Sequence, residues 1–113
     1  RKELEEMARE LRSMGPERVV ITGIREGGFI TNAVLDGDAI SFVKAKSAGD
    51  ERPGTGDVFS SILAGDLVTG VPFAASVKKA ALFVRDCIRC SDELEIPREN
   101  GVCFEELLGK LIP

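Results

Sequence analysis

The residues best equipped for chemistry are Gly54-Thr55-Gly56-Asp57, set between Arg52-Pro53 and a long apolar run. Two glycines flanking one small residue let the backbone come close to a ligand and turn successive N–H groups outward. Such amides suit an anion. A helix opening at this turn adds unpaired first-turn donors and the positive end of its dipole, so a phosphate can be held there without Lys or Arg. Asp57 then lies beside that phosphate, where its carboxylate can accept a proton from a hydroxyl attacking a γ-phosphoryl group. Phosphoryl transfer depends mainly on such positioning and on charge neutralisation. The same residues also read as a plain loop-to-helix junction, with Thr55 as N-cap and Asp57 as a first-turn acid favoured by the dipole. Spacing alone does not separate the two.

The elements that must position the turn follow from periodicity. Leu4, Met7, Ala8, Leu11 and Met14 recur at three- and four-residue steps, so Lys2 to Met14 reads as an amphipathic helix ended by Gly15-Pro16. Arg18 to Gly23 contains Val19-Val20-Ile21, a β-branched run suited to a parallel strand covered on both faces. Thr22 and Gly23 close that strand, at the end where open α/β sheets bind ligands. Phe29 to Leu35 and Ala39 to Ala45 are β-prone and meet at Asp36-Gly37, a strong turn signal, which predicts an antiparallel hairpin at the sheet edge. Beyond the Gly-rich turn, Val58 to Leu67 predicts a buried helix, broken at Gly70-Val71-Pro72. Phe73 to Ile88 predicts a second helix antiparallel to it, and Phe104 to Leu111 a short closing one.

Composition narrows the functions that remain. The length of 113 residues fits one domain, 1–113, with a single core. A net charge of −4 with no basic block argues against nucleic acid or an anionic membrane surface. No apolar run reaches transmembrane length. Three cysteines and no secretory signal point to a reducing cytoplasm. The absence of His, Trp and Tyr removes histidine triads, histidine metal sites and most aromatic nucleic-acid platforms. Cys87-Ile88-Arg89-Cys90 is formally C-x-x-C, yet it falls inside an amphipathic helix with no second pair, so the two read as buried or half-buried small hydrophobes; Cys103 shows no partner in the sequence.

The stretch GTGDVFSSILAGDL resembles the C-terminal signature of the ribokinase-like superfamily, and within it looks most like pyridoxal kinases. Sugar kinases of that superfamily usually carry Ala where this chain has Thr55, and hydroxymethylpyrimidine phosphate kinases often carry Cys where it has Asp57. The resemblance implies the C-terminal part of a three-layer α/β/α fold, with a buried parallel strand, an edge hairpin and about four helices. It implies an anion hole from the amides of Gly54, Thr55 and Gly56, with Asp57 as catalytic base. Thr22 and Gly23 would lie near the nucleotide phosphates, and Lys46 and Arg52 would add charge there unless they are solvated surface cations. The expected reaction is transfer of the γ-phosphoryl group of ATP, with Mg²⁺, to the primary alcohol of pyridoxal or a related B6 vitamer. Alternatives are a hydroxymethylpyrimidine, sugar or nucleoside kinase, or a folded piece inactive alone. No carboxylate cluster for the magnesium ion is visible, and no metal-ligating residue is assigned. The chain opens at Arg1 inside what reads as a helix, so it is expected to be the nucleotide-side portion of a longer enzyme whose substrate pocket lies upstream. A homodimer or self-association is the expected assembly.

Overall fold

The computed structural model describes residues 1–112. Helix α1 (Lys2–Arg12) leads into three strands, β1 (Arg18–Glu26), β2 (Phe29–Asp36) and β3 (Ala39–Lys46). Two long helices follow, α2 (Thr55–Thr69) and α3 (Phe73–Glu93), and the chain closes with 3-10 turns at Arg98–Asn100 and Glu105–Leu111. The sheet has the order β1-β2-β3, and both pairings are antiparallel.

Both connections in the sheet are two-residue turns. Asp36 pairs with Ala39 across Gly37-Asp38, as the Asp-Gly signal predicts, and Glu26 pairs with Phe29 across Gly27-Gly28. The second turn overturns two expectations. Strand β1 does not stop at Gly23 but continues to Glu26, and it is paired antiparallel to β2 rather than lying parallel to a neighbour. Nor is it the buried strand, since only Val19 is buried on it. Burial goes instead to β2, which has a partner on each side and helices over both faces, so that Thr31 to Leu35 are all buried.

Because side chains alternate along a strand, β2 feeds two cores. Leu35 packs with Ala8 of α1 and Val19, flanked by Ile21 and Ile40. Val34 points to the other side and joins Phe59 and Ile62 of α2 and Val77, Ala80, Phe83 and Cys87 of α3. The result is three layers, with α1 on one face of the sheet and the α2–α3 pair on the other. Helix α3 lies on β2 and β3, and α2 packs mainly on α3. The expectation that α2 is buried throughout is corrected accordingly, because Leu67 and Val68 remain exposed. The stripe on α1 is also only partly used: Ala8 is fully covered, while Met7, Leu11 and Met14 lie at the surface.

A polar bond locks α2 to α3 near their connection. Asp66 is buried and accepts from Ser76 Oγ at 2.6 Å and from Lys79 Nζ at 2.7 Å. The Lys79 ammonium, then the Ser76 hydroxyl, hold its carboxyl below the usual range against the opposing effect of burial. No helix among the described residues is long and apolar enough to cross a membrane.

Candidate functional site

The Gly-rich turn forms where the strand region ends and α2 begins. Gly54 is the N-cap, with φ 93° and ψ −10°, a left-handed conformation that favours glycine, and no side chain caps the helix. Thr55 is therefore not the N-cap. Its hydroxyl donates backward to the Arg52 carbonyl at 3.1 Å, and its own N–H reaches the same oxygen at 3.4 Å. The first helical bond runs from Val58 N–H to the Gly54 carbonyl at 3.1 Å. Of the three amides expected to form the anion hole, that of Thr55 is thus already engaged, while the N–H groups of Gly54 and Gly56, and that of Asp57, have no acceptor among the described residues. Their donors face outward at the positive end of a fifteen-residue helix.

Two hollows meet at this turn. The first is lined by Thr22, Gly23, Lys46, Thr55 and Gly56, which brings together five of the residues expected from sequence. Its floor is apolar, formed by Ile30, Ala45, Phe59, Val84 and Ile88. The second hollow contains Gly54 and Asp57 and is walled by Gly101, Val102 and Phe104. The exposed Asp57 side chain has no hydrogen-bond or ion-pair partner among the described residues; only its carbonyl is used, accepting from Ser61 Oγ at 2.7 Å.

Thr22 and Gly23 reach the first hollow by a different route from the one expected. They sit not at a strand end but at an irregularity within β1, where the register shifts between Ile21 and Ile24 and two residues oppose Asn32. Gly23 N–H, displaced from the ladder, donates to Asn32 Oδ1 at 3.2 Å. A strand carrying Gly-Gly four residues beyond Thr22-Gly23 holds the signal that would have revealed this, since Gly-Gly is a hairpin turn.

Lys46 is exposed at the end of β3 with no ion-pair partner among the described residues. Arg52 is placed elsewhere than expected. It is buried and does not line the first hollow: its Nη2 donates to Asp92 Oδ1 at 2.9 Å and its Nη1 to the Gly101 carbonyl at 3.0 Å. Other cations stand at the first hollow that sequence reasoning missed. Arg25 contributes from β1, held by Ser47 Oγ at 3.4 Å and the Gly49 carbonyl at 3.3 Å, and Arg85 contributes from α3. Both come from positions distant in sequence, and nothing local marks them.

The cysteines take no part in either hollow. Burial, above all, pushes the Cys87 thiol up to about 12, which keeps it protonated and inert. Cys90 Sγ lies 4.0 Å from Cys103 Sγ, a neighbour the C-x-x-C spacing does not reveal. Among the described residues no three His, Cys, Asp or Glu side chains converge as a metal cluster.

Solved kinases of the ribokinase-like fold superpose on this three-layer arrangement. A candidate phosphomethylpyrimidine kinase from Bacteroides thetaiotaomicron, in a rhombohedral form, matches with a TM-score of 0.91 and 28% identity over 99% of this chain and 40% of that one. Its orthorhombic form with pyridoxal gives 0.86 and 27% over 99% and 41%. Pyridoxal kinase from Lactobacillus plantarum shares the fold, with a TM-score of 0.85 at 23% identity over 96% of this chain and 40% of that one. The chain thus spans about two fifths of these proteins. No protein of curated function matches the sequence. The family model described as phosphomethylpyrimidine kinase covers residues 1–103, and the chain belongs to that family. The ribokinase-like resemblance read from the turn is borne out.

Proposed function

We propose that this chain is the nucleotide-side and catalytic-base portion of an ATP-dependent kinase that phosphorylates the primary alcohol of pyridoxal or a related B6 vitamer. The observation that carries the reading is the pair of unpaired amides, Gly56 and Asp57, at a helix start that separates an apolar, cation-rimmed hollow from an unpartnered carboxylate. The first hollow suits ATP: its apolar floor takes the base, Arg25 and Lys46 offset phosphate charge, and the turn receives the terminal phosphate. The acceptor alcohol approaches on the Asp57 side. Its oxygen forms a bond to the γ-phosphorus as the bond to the bridging oxygen of ADP breaks, and its proton passes to the Asp57 carboxylate. Magnesium, which supplies charge neutralisation on the phosphates in such kinases, finds no convergent set of ligands among the described residues.

A second reading is specifically favoured by the family description: a hydroxymethylpyrimidine as acceptor. Asp57 supports the B6 branch, because the pyrimidine enzymes that this turn resembles often carry Cys there. The test is ATP-dependent phosphorylation of pyridoxal and of hydroxymethylpyrimidine by the natural full-length product. Preferential turnover of pyridoxal supports the first reading, preferential turnover of the pyrimidine replaces it with the second, and turnover of neither defeats both.

A further inference from the structure

The segment that precedes the Gly-rich turn is held from a distance. Arg52 reaches forty residues along the chain to Asp92, at the end of α3, and forty-nine to the Gly101 carbonyl. Its side chain is 7% exposed, against 49% for Asp92, so the guanidinium is enclosed while the carboxylate stands at the surface. Arg98 Nε donates to the Glu51 carbonyl at 2.9 Å, fixing the residue before Arg52 from the same region. Gly101 presses on the residue after it: a Cβ added there would lie 3.1 Å from the Pro53 carbonyl oxygen, and its φ of 83° excludes most side chains in any case. The Arg52 carbonyl in turn receives both Thr55 groups that open α2. Glu51, Arg52 and Pro53 are thus clamped by residues 92–101, immediately before the amides that face the hollows.

We infer that Arg52, Asp92 and Gly101 form a strut that sets the angle of the Gly54–Asp57 turn, making Arg52 a positioning residue for phosphoryl transfer rather than a phosphate ligand. A planar guanidinium with donors on two arms can join a carboxylate and a carbonyl at once, which an ammonium cannot do with the same geometry. An anion hole displaced by a fraction of an ångström loses stabilisation of the transition state before it loses ground-state binding.

This inference rests on the kinase reading, and the experiment separates the two. In the natural full-length product, Arg52→Lys and Gly101→Ala are compared with wild type for kcat, ATP KM, thermal midpoint and backbone-amide exchange at residues 54–57. Asp92→Ala, which removes the half-exposed end of the strut, is measured beside them and remains informative if Arg52→Lys or the strained Gly101→Ala folds poorly. The expected result is a fall in kcat of about tenfold, with ATP KM within about twofold and faster exchange confined to the turn. Asp92→Ala added to Arg52→Lys should lower kcat no further, because the pair acts as one unit. Folded variants with kcat within twofold of wild type, or with unchanged exchange at the turn, overturn the inference. A wild-type product that phosphorylates neither alcohol defeats the kinase reading; the exchange response then upholds or overturns the strut by itself.

Discussion

Helix α2 carries two aspartates nine residues apart, and the protein treats them in opposite ways. Asp66 is buried, accepts from Ser76 and Lys79, and ties α2 to α3. Asp57 is exposed at the helix start, and its side chain has no partner among the described residues. A carboxylate whose two oxygens are both engaged by the protein is committed to structure. One left open beside unpaired amides is available to a ligand. The difference gives a means of separating acids committed to structure from acids open to a ligand within a single element.

The largest effect expected from this contrast is on turnover. Asp57→Ala in the full-length product should lower kcat by at least about a hundredfold while leaving ATP affinity and the thermal midpoint nearly unchanged. Unchanged turnover in a steady-state assay would break the comparison at its catalytic end. Asp66→Ala should do the reverse, costing about 1–3 kcal/mol in denaturant unfolding, because a buried Ser76 hydroxyl loses its acceptor. Its effect on kcat should be small by comparison.

Acid should reach Asp66 in a defined direction. Its folded pKa is depressed, so the stabilisation is fully present above the unfolded value, near pH 4, and is lost as pH falls through the folded value. Asp66→Asn should therefore flatten the acid limb of a stability-versus-pH curve. An unaltered limb would show that other carboxylates dominate it, Asp86 among them: although burial opposes, hydrogen bonds from Lys110 and Arg85 also hold that group low. The smallest effect is the sharpest test of the turn. A Cβ at Gly56 meets nothing within 4 Å, so Gly56→Ala should leave stability unchanged or raise it by less than about 1 kcal/mol. On the proposed function the same methyl group would project where the phosphate approaches, and ATP KM should rise severalfold in the same assay. Weakened nucleotide binding without a stability loss would assign Gly56 to ligand approach rather than to folding.

Much of this site was legible because its signals are local. The GTGD turn, the helix it opens and the Asp36-Gly37 hairpin each lie within a few residues of sequence, and each is found where periodicity and turn chemistry place it. What escaped is non-local. Val19-Val20-Ile21 looks more buried than Phe29 to Leu35, because Thr31 and Asn32 interrupt the apolar run; burial depends on which strand is central, and no local pattern encodes that. Arg52 lies beside the turn in sequence and therefore reads as a phosphate ligand, but its partners lie forty and more residues away. Arg25, Asn32 and Arg85 come to the first hollow only once the bulge and the helix pair have formed.

The two tight turns of the sheet also bear on the order in which the protein assembles. A three-strand meander closed by two-residue loops needs only short-range contacts, and isolated hairpins form within about 1–10 μs. The bonds from Arg52 to Asp92 and Gly101 must instead await the whole of α2 and α3, a loop closure whose entropic cost grows with the intervening length. The hypothesis that follows is that β2 gains protection in pulse-labelled hydrogen exchange before the amides that begin α2; simultaneous protection would refute it. On that schedule the scaffold matures first, and the turn that opens α2 is the last part of the nascent chain to take its shape.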